Sequence, residues 1–193
     1  MINGTLGAVT ILKPSPSFDE HPEYSTIQQA EDHAVLLIQA VMLSKYWANS
    51  VIFVTYDDFG GWYDHVAPPV IDRWGSGGRV PLLIISPYAR KGFVDHTVYD
   101  MTSLLKFIET RWNLAPLATR DAAAADLTAA FDFSQAPAPL RAPQPVDGQD
   151  VRAPSPSKDR GAASQRSSII LAGVVIGIVL VMAAVIVLIR RRR

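Results

Sequence analysis

The sequence predicts an α/β protein with a mostly parallel β-sheet and flanking helices. Two continuous apolar runs, residues 51–56 (VIFVTY) and 80–86 (VPLLIIS), lack the alternation of a half-exposed strand. Such runs are typical of parallel strands covered on both faces. Helical patterns precede the first run and follow the second, and this order of elements is typical of an α/β domain.

The elements follow in order along the chain. Residues 6–12 (LGAVTIL) predict a first strand, and residues 13–25, with three prolines, predict a loop. Ser25 and Gln28 resemble a capping box for a helix that runs to about residue 47.

The second half of the domain contains a long loop and two further helices. Residues 57–79 are rich in glycine and proline and predict a loop before the strand at 80–86. Asp100 is a suitable cap for a helix over residues 101–112, and residues 120–131 predict another short helix.

The C-terminal third differs in composition from the domain. Residues 134–167 are rich in Ala, Pro, Ser and Gln and predict a disordered stalk. Residues 169–189 contain no charge, and at ~1.5 Å per residue they span about 31 Å, enough for a bilayer core. We therefore expect a domain over 1–133, a linker over 134–167, a transmembrane helix over 168–189 and a basic tail over 190–193.

The charge distribution predicts an orientation. Residues 190–193 are four arginines, which the positive-inside rule keeps cytoplasmic, so the domain is expected on the extracytoplasmic side of the cell membrane. Residues 1–18 lack the basic start and apolar core of a signal peptide. Either this predicted orientation is wrong, or an N-terminal part with the export signal precedes the sequence given.

Composition excludes several classes of function. Residues 1–150 contain 10 Lys+Arg and 17 Asp+Glu, a net charge of −7, whereas residues 151–193 carry a net charge of +7. An acidic domain argues against nucleic-acid binding. The absence of cysteine excludes disulfides, thiolate metal sites and cysteine nucleophiles.

Asp57 and Asp58 stand where the apolar run 51–56 ends. Adjacent carboxylates repel each other, so their proximity needs a cation or the protonation of one of them. The alternative is one exposed acid in a turn and one capping acid. Gly60 and Gly61 allow a tight backbone path beside an ion, and Asp64 and His65 are further candidate ligands.

A second polar cluster, residues 19–22 (DEHP), follows the first predicted strand. In a parallel sheet this cluster lies at the same edge as Asp57. His21 could donate to a phosphoryl oxygen or shuttle a proton, or it is simply a histidine of a surface loop. Oxygen and imidazole donors suit a divalent metal ion, whose identity stays open among calcium, magnesium, manganese, iron and zinc.

Four ordered blocks resemble the bacterial phosphoesterase family of phospholipases C and acid phosphatases, in the alkaline-phosphatase-like superfamily. They are GTLGAVTILKPSPSFDEHPEYS, VIFVTYDDFGGWYDHVAPP, GGRVPLLIISPYARKGFVDHTVYDMTSLLKFIETRW and RDAAAADLTAAFDF. The resemblance covers residues 4–133 and corresponds to the C-terminal portion of the family's proteins. It implies a partial alkaline-phosphatase-like fold.

The resemblance also implies a chemistry and roles for single residues. The family hydrolyses phosphate esters through a hydroxyl nucleophile that forms a covalent phospho-enzyme beside a metal ion. Asp57 and Asp58 match its metal ligands, His21 matches a histidine that contacts the phosphoryl group, and His65 matches a second histidine of the site. The implied substrate is a phosphate ester, with phospholipids included.

Two functions fit the sequence. The first is a membrane-anchored, metal-dependent phosphoesterase whose N-terminal half, with the Ser or Thr nucleophile, lies outside this sequence and is separately encoded or lost. The second is a catalytically inactive remnant or a membrane-tethered binding module of the same fold.

Overall fold

The computed structural model of the chain describes residues 6–139 and 182–188. All of them belong to one compact unit. Their helices and strands are, in chain order, β1 (Val9–Leu12), α1 (Ile27–Met42), β2 (Ser50–Tyr56), β3 (Leu82–Ile85), α2 (Thr102–Trp112), α3 (Thr119–Ala123) and β4 (Met182–Leu188).

The strands form one sheet in the order β1-β4-β2-β3, and every strand pair in the described residues is antiparallel. The prediction of a mostly parallel sheet is therefore wrong for these pairs. A parallel return from β2 to β3 would need a crossover, usually a helix. Residues 57–81 contain no helix and instead lead β3 back beside β2, with Ile52 opposite Ile85 and Thr55 opposite Leu82.

Strand β2 is buried on both faces, as its unbroken apolar sequence predicts. Val51 and Phe53 point into one core with α2. Ile52 and Val54 point into a second core with α1. Successive side chains of a strand point to opposite faces, so β2 contributes buried residues to both cores.

Three phenylalanines organise the core on the α2 face. The Phe53 ring meets the Phe107 ring edge to face at a centroid distance of 5.3 Å. Phe131, just after a 3₁₀ turn, lies 5.3 Å from Phe107 and 6.5 Å from Phe53. Such aromatic contacts contribute roughly 0.5–1.5 kcal/mol each beyond the area they bury.

Strand β3 is less buried than its sequence predicts. Its Leu83 is 57% exposed, although Leu82 and Ile84 pack against the core around Phe53. Within the described residues β3 pairs only with β2, so one of its edges lacks a strand neighbour. An apolar run indicates a strand, but it does not indicate whether both faces will be covered.

Helix α1 begins one residue later than its predicted capping box. Thr26 is the N-cap and forms a capping box with Gln29. Ser25, the predicted cap, instead accepts a hydrogen bond from the Glu20 N–H at 2.8 Å. Its hydroxyl is thus used to hold the preceding loop, and the helix ends at Met42 rather than near residue 47.

The later helices also differ from their predictions in detail. Asp100 accepts a hydrogen bond from the Thr102 N–H at 2.7 Å, so it serves the first turn of α2 from just outside the helix. The single helix predicted over 120–131 is divided into α3 and a 3₁₀ turn, Leu127–Ala130. Asp126 starts that turn separately, because its carboxylate accepts from the Thr128 N–H.

The apolar C-terminal run is partly described. Residues 182–188, predicted as part of a transmembrane helix, form strand β4 between β1 and β2. Runs of Val, Ile and Ala suit either structure, and β1 and β2 each provide an edge for pairing. The remainder of that predicted helix, the basic tail and the linker beyond residue 139 lie outside the described residues. Among the helices that are described, none is long and apolar enough to cross a bilayer.

A buried acid on α2 sets a pH dependence of stability. Glu109 is only 7% exposed, and neither of its carboxylate oxygens accepts a hydrogen bond within the described residues. Burial raises the pKa of Glu109, and the neighbouring Asp121 raises it further. A protonated Glu109 can donate to Asp121, whose carboxylate also accepts from the N–H groups of Leu117 and Ala118.

We expect Glu109→Gln to stabilise the full chain above pH 7 and to flatten its pH dependence. A raised carboxyl pKa favours folding below the unfolded-state value near 4.3, and this contribution is lost as pH rises through the folded-state pKa. Urea unfolding at pH 5 and pH 8 checks this, with the exposed Glu31→Gln as control. Equal midpoint changes in both variants would contradict the assignment.

Candidate active site

The acidic pair lies at the end of β2, where the chain leaves the sheet. The Asp58 carboxylate accepts a hydrogen bond from the Gly60 N–H at 2.6 Å. Gly60 and Gly61 have φ angles of +65° and +77°, which favour glycine. The tight turn therefore holds Asp57 and Asp58 beside the exit of the strand.

The loop that follows β1 has a strained and well-bonded backbone. Asp19 is buried, and its carboxylate accepts from the His21 N–H at 2.9 Å. Glu20 has a φ angle of +60°, an uncommon value for a residue with a Cβ. Ser25 and Asp19 together stabilise this turn, which contains His21.

A hydrogen bond joins this loop to β2. The Tyr56 hydroxyl donates to the Glu20 carboxylate. Burial raises the pKa of the Tyr56 phenol, and the bond to Glu20 raises it further, so the phenol stays protonated and remains a donor. Tyr56 directly precedes Asp57, so the link ties the His21 loop to the acidic pair.

The two loops enclose a cavity of about 310 Å³. His21, Asp57 and Asp58 all line it, so the structure brings together three of the four site residues predicted from the sequence. The other charged residues of its lining are Asp19, Glu20 and Arg79. Carboxylates thus outnumber cationic groups around this cavity.

His65, the fourth predicted residue, lies in an adjoining cavity of about 380 Å³. That cavity shares Arg79 and aromatic residues with the first. Two guanidinium nitrogens of Arg79 donate to the Asp64 carboxylate, with the shortest N–O distance at 2.8 Å. The backbone N–H of Arg79 donates to the same carboxylate. The Arg79 guanidinium holds the pKa of Asp64 well below its usual range, so Asp64 stays ionised.

The donor atoms suit a hard divalent cation but are few. Asp57 and Asp58 offer carboxylate oxygens, the ligands that such ions prefer. Within the described residues no three His, Cys, Asp or Glu side chains come together as a metal-binding group. A full set of ligands for such an ion would need further donors.

Sequence reasoning did not assign roles to Tyr56, Glu20 and Arg79. Glu20 lies inside the DEHP cluster and Tyr56 directly before the acidic pair, so position alone could have marked both. Their mutual contact joins residues 36 positions apart, which no local pattern reveals. The sequence marks Arg79 less clearly. It is a single cationic residue that directly follows Gly78, shortly before strand β3.

Comparison with known proteins identifies the family. The phosphoesterase family profile matches residues 1–115, more than half of the chain. The chain belongs to the phosphoesterase family. The matched range includes β1, β2, β3 and α2, and with them both loops of the candidate site.

The similar proteins are phospholipases C. Non-hemolytic phospholipase C of Burkholderia pseudomallei is 33% identical over 165 residues, which cover 68% of this chain and 24% of that protein. Phospholipase C B of Mycobacterium tuberculosis is 33% identical over 72% of this chain and 32% of its own length. Non-specific phospholipase C6 of Arabidopsis thaliana is 25% identical over 86% and 38%. The chain thus spans about a quarter to two fifths of these relatives.

We expect Arg79→Ala to loosen the loop between β2 and β3. The variant removes the guanidinium that holds Asp64, and with it a link across 15 positions. Hydrogen exchange of peptides from residues 59–79 should become roughly twofold to fivefold faster, the effect of losing one exposed ion pair.

Arg73→Ala is the matched control, because Arg73 lies over the Trp74 ring rather than against an acid of the cavity. Equal acceleration in both variants would show that the Arg79–Asp64 contact does not hold the loop.

Proposed function

We propose that this chain supplies part of the active site of a phosphate-ester hydrolase of the phospholipase C or acid phosphatase type. In this site Asp57 and Asp58 bind a divalent cation, and His21 contacts the phosphoryl group. The observation that carries the proposal is the convergence of these three residues on one cavity at the end of β2. Membership of the phosphoesterase family supports the class of reaction.

The charge of the cavity supports the metal. A phosphate ester is an anion, and the carboxylates around this cavity would repel it. A divalent cation on Asp57 and Asp58 would offset the two negative charges of this pair and would help to neutralise the charge that develops on the phosphoryl oxygens. Family members are expected to need such an ion, whose identity stays open.

The protein's own residues have distinct tasks in this proposal. His21 donates to a phosphoryl oxygen or transfers a proton to the leaving group. Tyr56 and Glu20 hold the His21 loop against β2. His65, at the adjoining cavity, is the second histidine of the proposed site.

The nucleophile and the remaining ligands are proposed to come from outside this sequence. The chain spans only 24% of its Burkholderia relative, and the relatives' remaining length provides room for them. We propose a separately encoded N-terminal half as the partner that completes the site. The substrate is a phosphate ester, and the names of the relatives favour a phospholipid.

Metal binding by the full chain is the first test. Titration with Mn²⁺, followed by electron paramagnetic resonance, should show binding that the double change Asp57→Asn, Asp58→Asn weakens about 10-fold or more, because it removes both charged ligands. Glu31→Gln with Asp32→Asn is the matched control, since it removes two adjacent acids on the exposed surface of α1. Equal weakening in both double variants would contradict ligation by Asp57 and Asp58.

Hydrolysis of a chromogenic phosphate ester separates the two functions. Turnover by the chain, alone or with the upstream-encoded half, that the Asp57 and Asp58 change abolishes supports the hydrolase. Metal binding without turnover in either preparation supports the alternative, an inactive remnant or a membrane-tethered binding module.

We also propose that the chain is a single-pass protein of the cell membrane. Its apolar residues 169–189 would cross the bilayer, with the domain outside and residues 190–193 in the cytoplasm. In this state residues 182–188 would leave the sheet, in which they form β4. The length and apolar character of the segment support the proposal.

Single cysteines test this orientation, because the chain has none of its own. We expect Val98→Cys, at a position 81% exposed, to react with a membrane-impermeant maleimide in intact cells. Arg193→Cys should react only after lysis. Labelling of Arg193→Cys in intact cells would overturn the orientation.

A further inference from the structure

The loop between β2 and β3 exposes an unusual number of large apolar side chains. We call residues 59–74 the aromatic loop. Trp62, Tyr63 and Trp74 are 73%, 83% and 76% exposed, and Val70 is 93% exposed. Water-exposed tryptophans cost free energy unless a partner covers them, so clustering along one loop indicates a surface for interaction.

The acids of the aromatic loop are already engaged. Asp64 pairs with Arg79, and Asp72 lies 3.7 Å from the Arg120 guanidinium. Arg73 has no acidic partner within the described residues and instead lies 4.4 Å from the centre of the Trp74 ring. The loop therefore presents aromatic rings and an available cation, although residues 1–150 are acidic as a whole.

Arginine side chains contact the aromatic loop region at two places. Arg79 fastens the part around Asp64. Arg120 donates to the Gly75 carbonyl at 2.6 Å and to the Ser76 hydroxyl at 2.9 Å, which fastens the end after Trp74. Its exposed side chains are thus displayed on a fixed backbone, which lowers the entropic cost of docking.

We propose that the aromatic loop docks the protein on the surface of a bilayer that contains anionic phospholipid. Tryptophan and tyrosine favour the membrane interface, where the ring meets the acyl boundary and the polar group meets water. Arginine beside them pairs with lipid phosphates. A protein partner would also accept Trp and Tyr, but the unneutralised Arg73 at the exposed end matches an anionic lipid surface.

Docking through the aromatic loop would place the candidate site at the level of the lipid headgroups. Trp62 and Phe59 line the cavity that contains Asp57 and Asp58, so the loop and the cavity are continuous. The docking surface goes beyond the proposed hydrolysis and does not depend on it, because insertion of the loop needs neither a metal nor a nucleophile.

Tryptophan quenching tests the docking in the full chain, reconstituted in vesicles of brominated phosphatidylcholine with phosphatidylglycerol. The chain has four tryptophans. The change Trp47→Phe, Trp112→Phe leaves only the two loop rings as reporters, and Trp62→Phe, Trp74→Phe leaves only the two outside the loop. We expect the loop rings to lose emission and shift to the blue relative to unbrominated vesicles, and the other two to remain unchanged.

Charge and folding are controlled within the same assay. Arg73→Gln should reduce the quenching of the loop rings, and high salt should reduce it in the unchanged chain. If the Trp47 and Trp112 changes impair folding, the unchanged chain is compared with Trp62→Phe, Trp74→Phe, because both of these side chains are exposed.

If Trp62 and Trp74 are quenched no more than Trp47 and Trp112, the proposal is overturned. A protein partner would then be the molecule that binds the aromatic loop. Quenching without hydrolysis would support membrane docking and contradict only the hydrolase. The two proposals therefore fail separately.

Discussion

The burial of strand β2 on both faces is the constraint on which the rest of the structure depends. Val51 and Phe53 pack toward α2, and Ile52 and Val54 pack toward α1, so one short strand holds two hydrophobic cores together. Within such a strand a buried polar group needs a hydrogen bond, as the Thr55 hydroxyl has to the Pro81 carbonyl, and carboxylates follow only where the strand leaves the sheet. Asp57 and the residues after it are placed at that exit, on a backbone that the two cores make rigid.

Charge shapes the surroundings of this exit. Two acidic residues near the exit have partners. Arg79 forms an ion pair with Asp64, and the Tyr56 phenol donates a hydrogen bond to Glu20. Asp57 and Asp58 are the adjacent carboxylates that line the cavity. We propose this pair as ligands of a divalent cation.

Sequence patterns predicted most elements and much of the site, but not strand direction or exact helix ends. The apolar sequence of β2 predicted its burial on both faces. It did not predict that β3 runs antiparallel to β2, which follows from a connection that contains no helix. Ser25 is a residue type that often caps helices, yet its hydroxyl accepts a hydrogen bond from the Glu20 N–H. The convergence of His21 with Asp57 was predicted through a parallel sheet and is observed in a sheet whose described pairs are antiparallel. β1 and β2 both run antiparallel to β4 and so point the same way, and the Tyr56–Glu20 hydrogen bond joins the loops that follow them.

The sequence by itself determined the composition of the domain, the positions of the buried strands, the acidic pair at a strand end and the resemblance to the phosphoesterases. These properties are local, because periodicity, turn residues and motifs are set by neighbours along the chain. Only the tertiary structure decided that the strands pair antiparallel, that Tyr56 reaches Glu20 and that Arg79 holds Asp64. Those contacts join residues 15 to 36 positions apart, and such distant partners are selected by the packing of the whole domain.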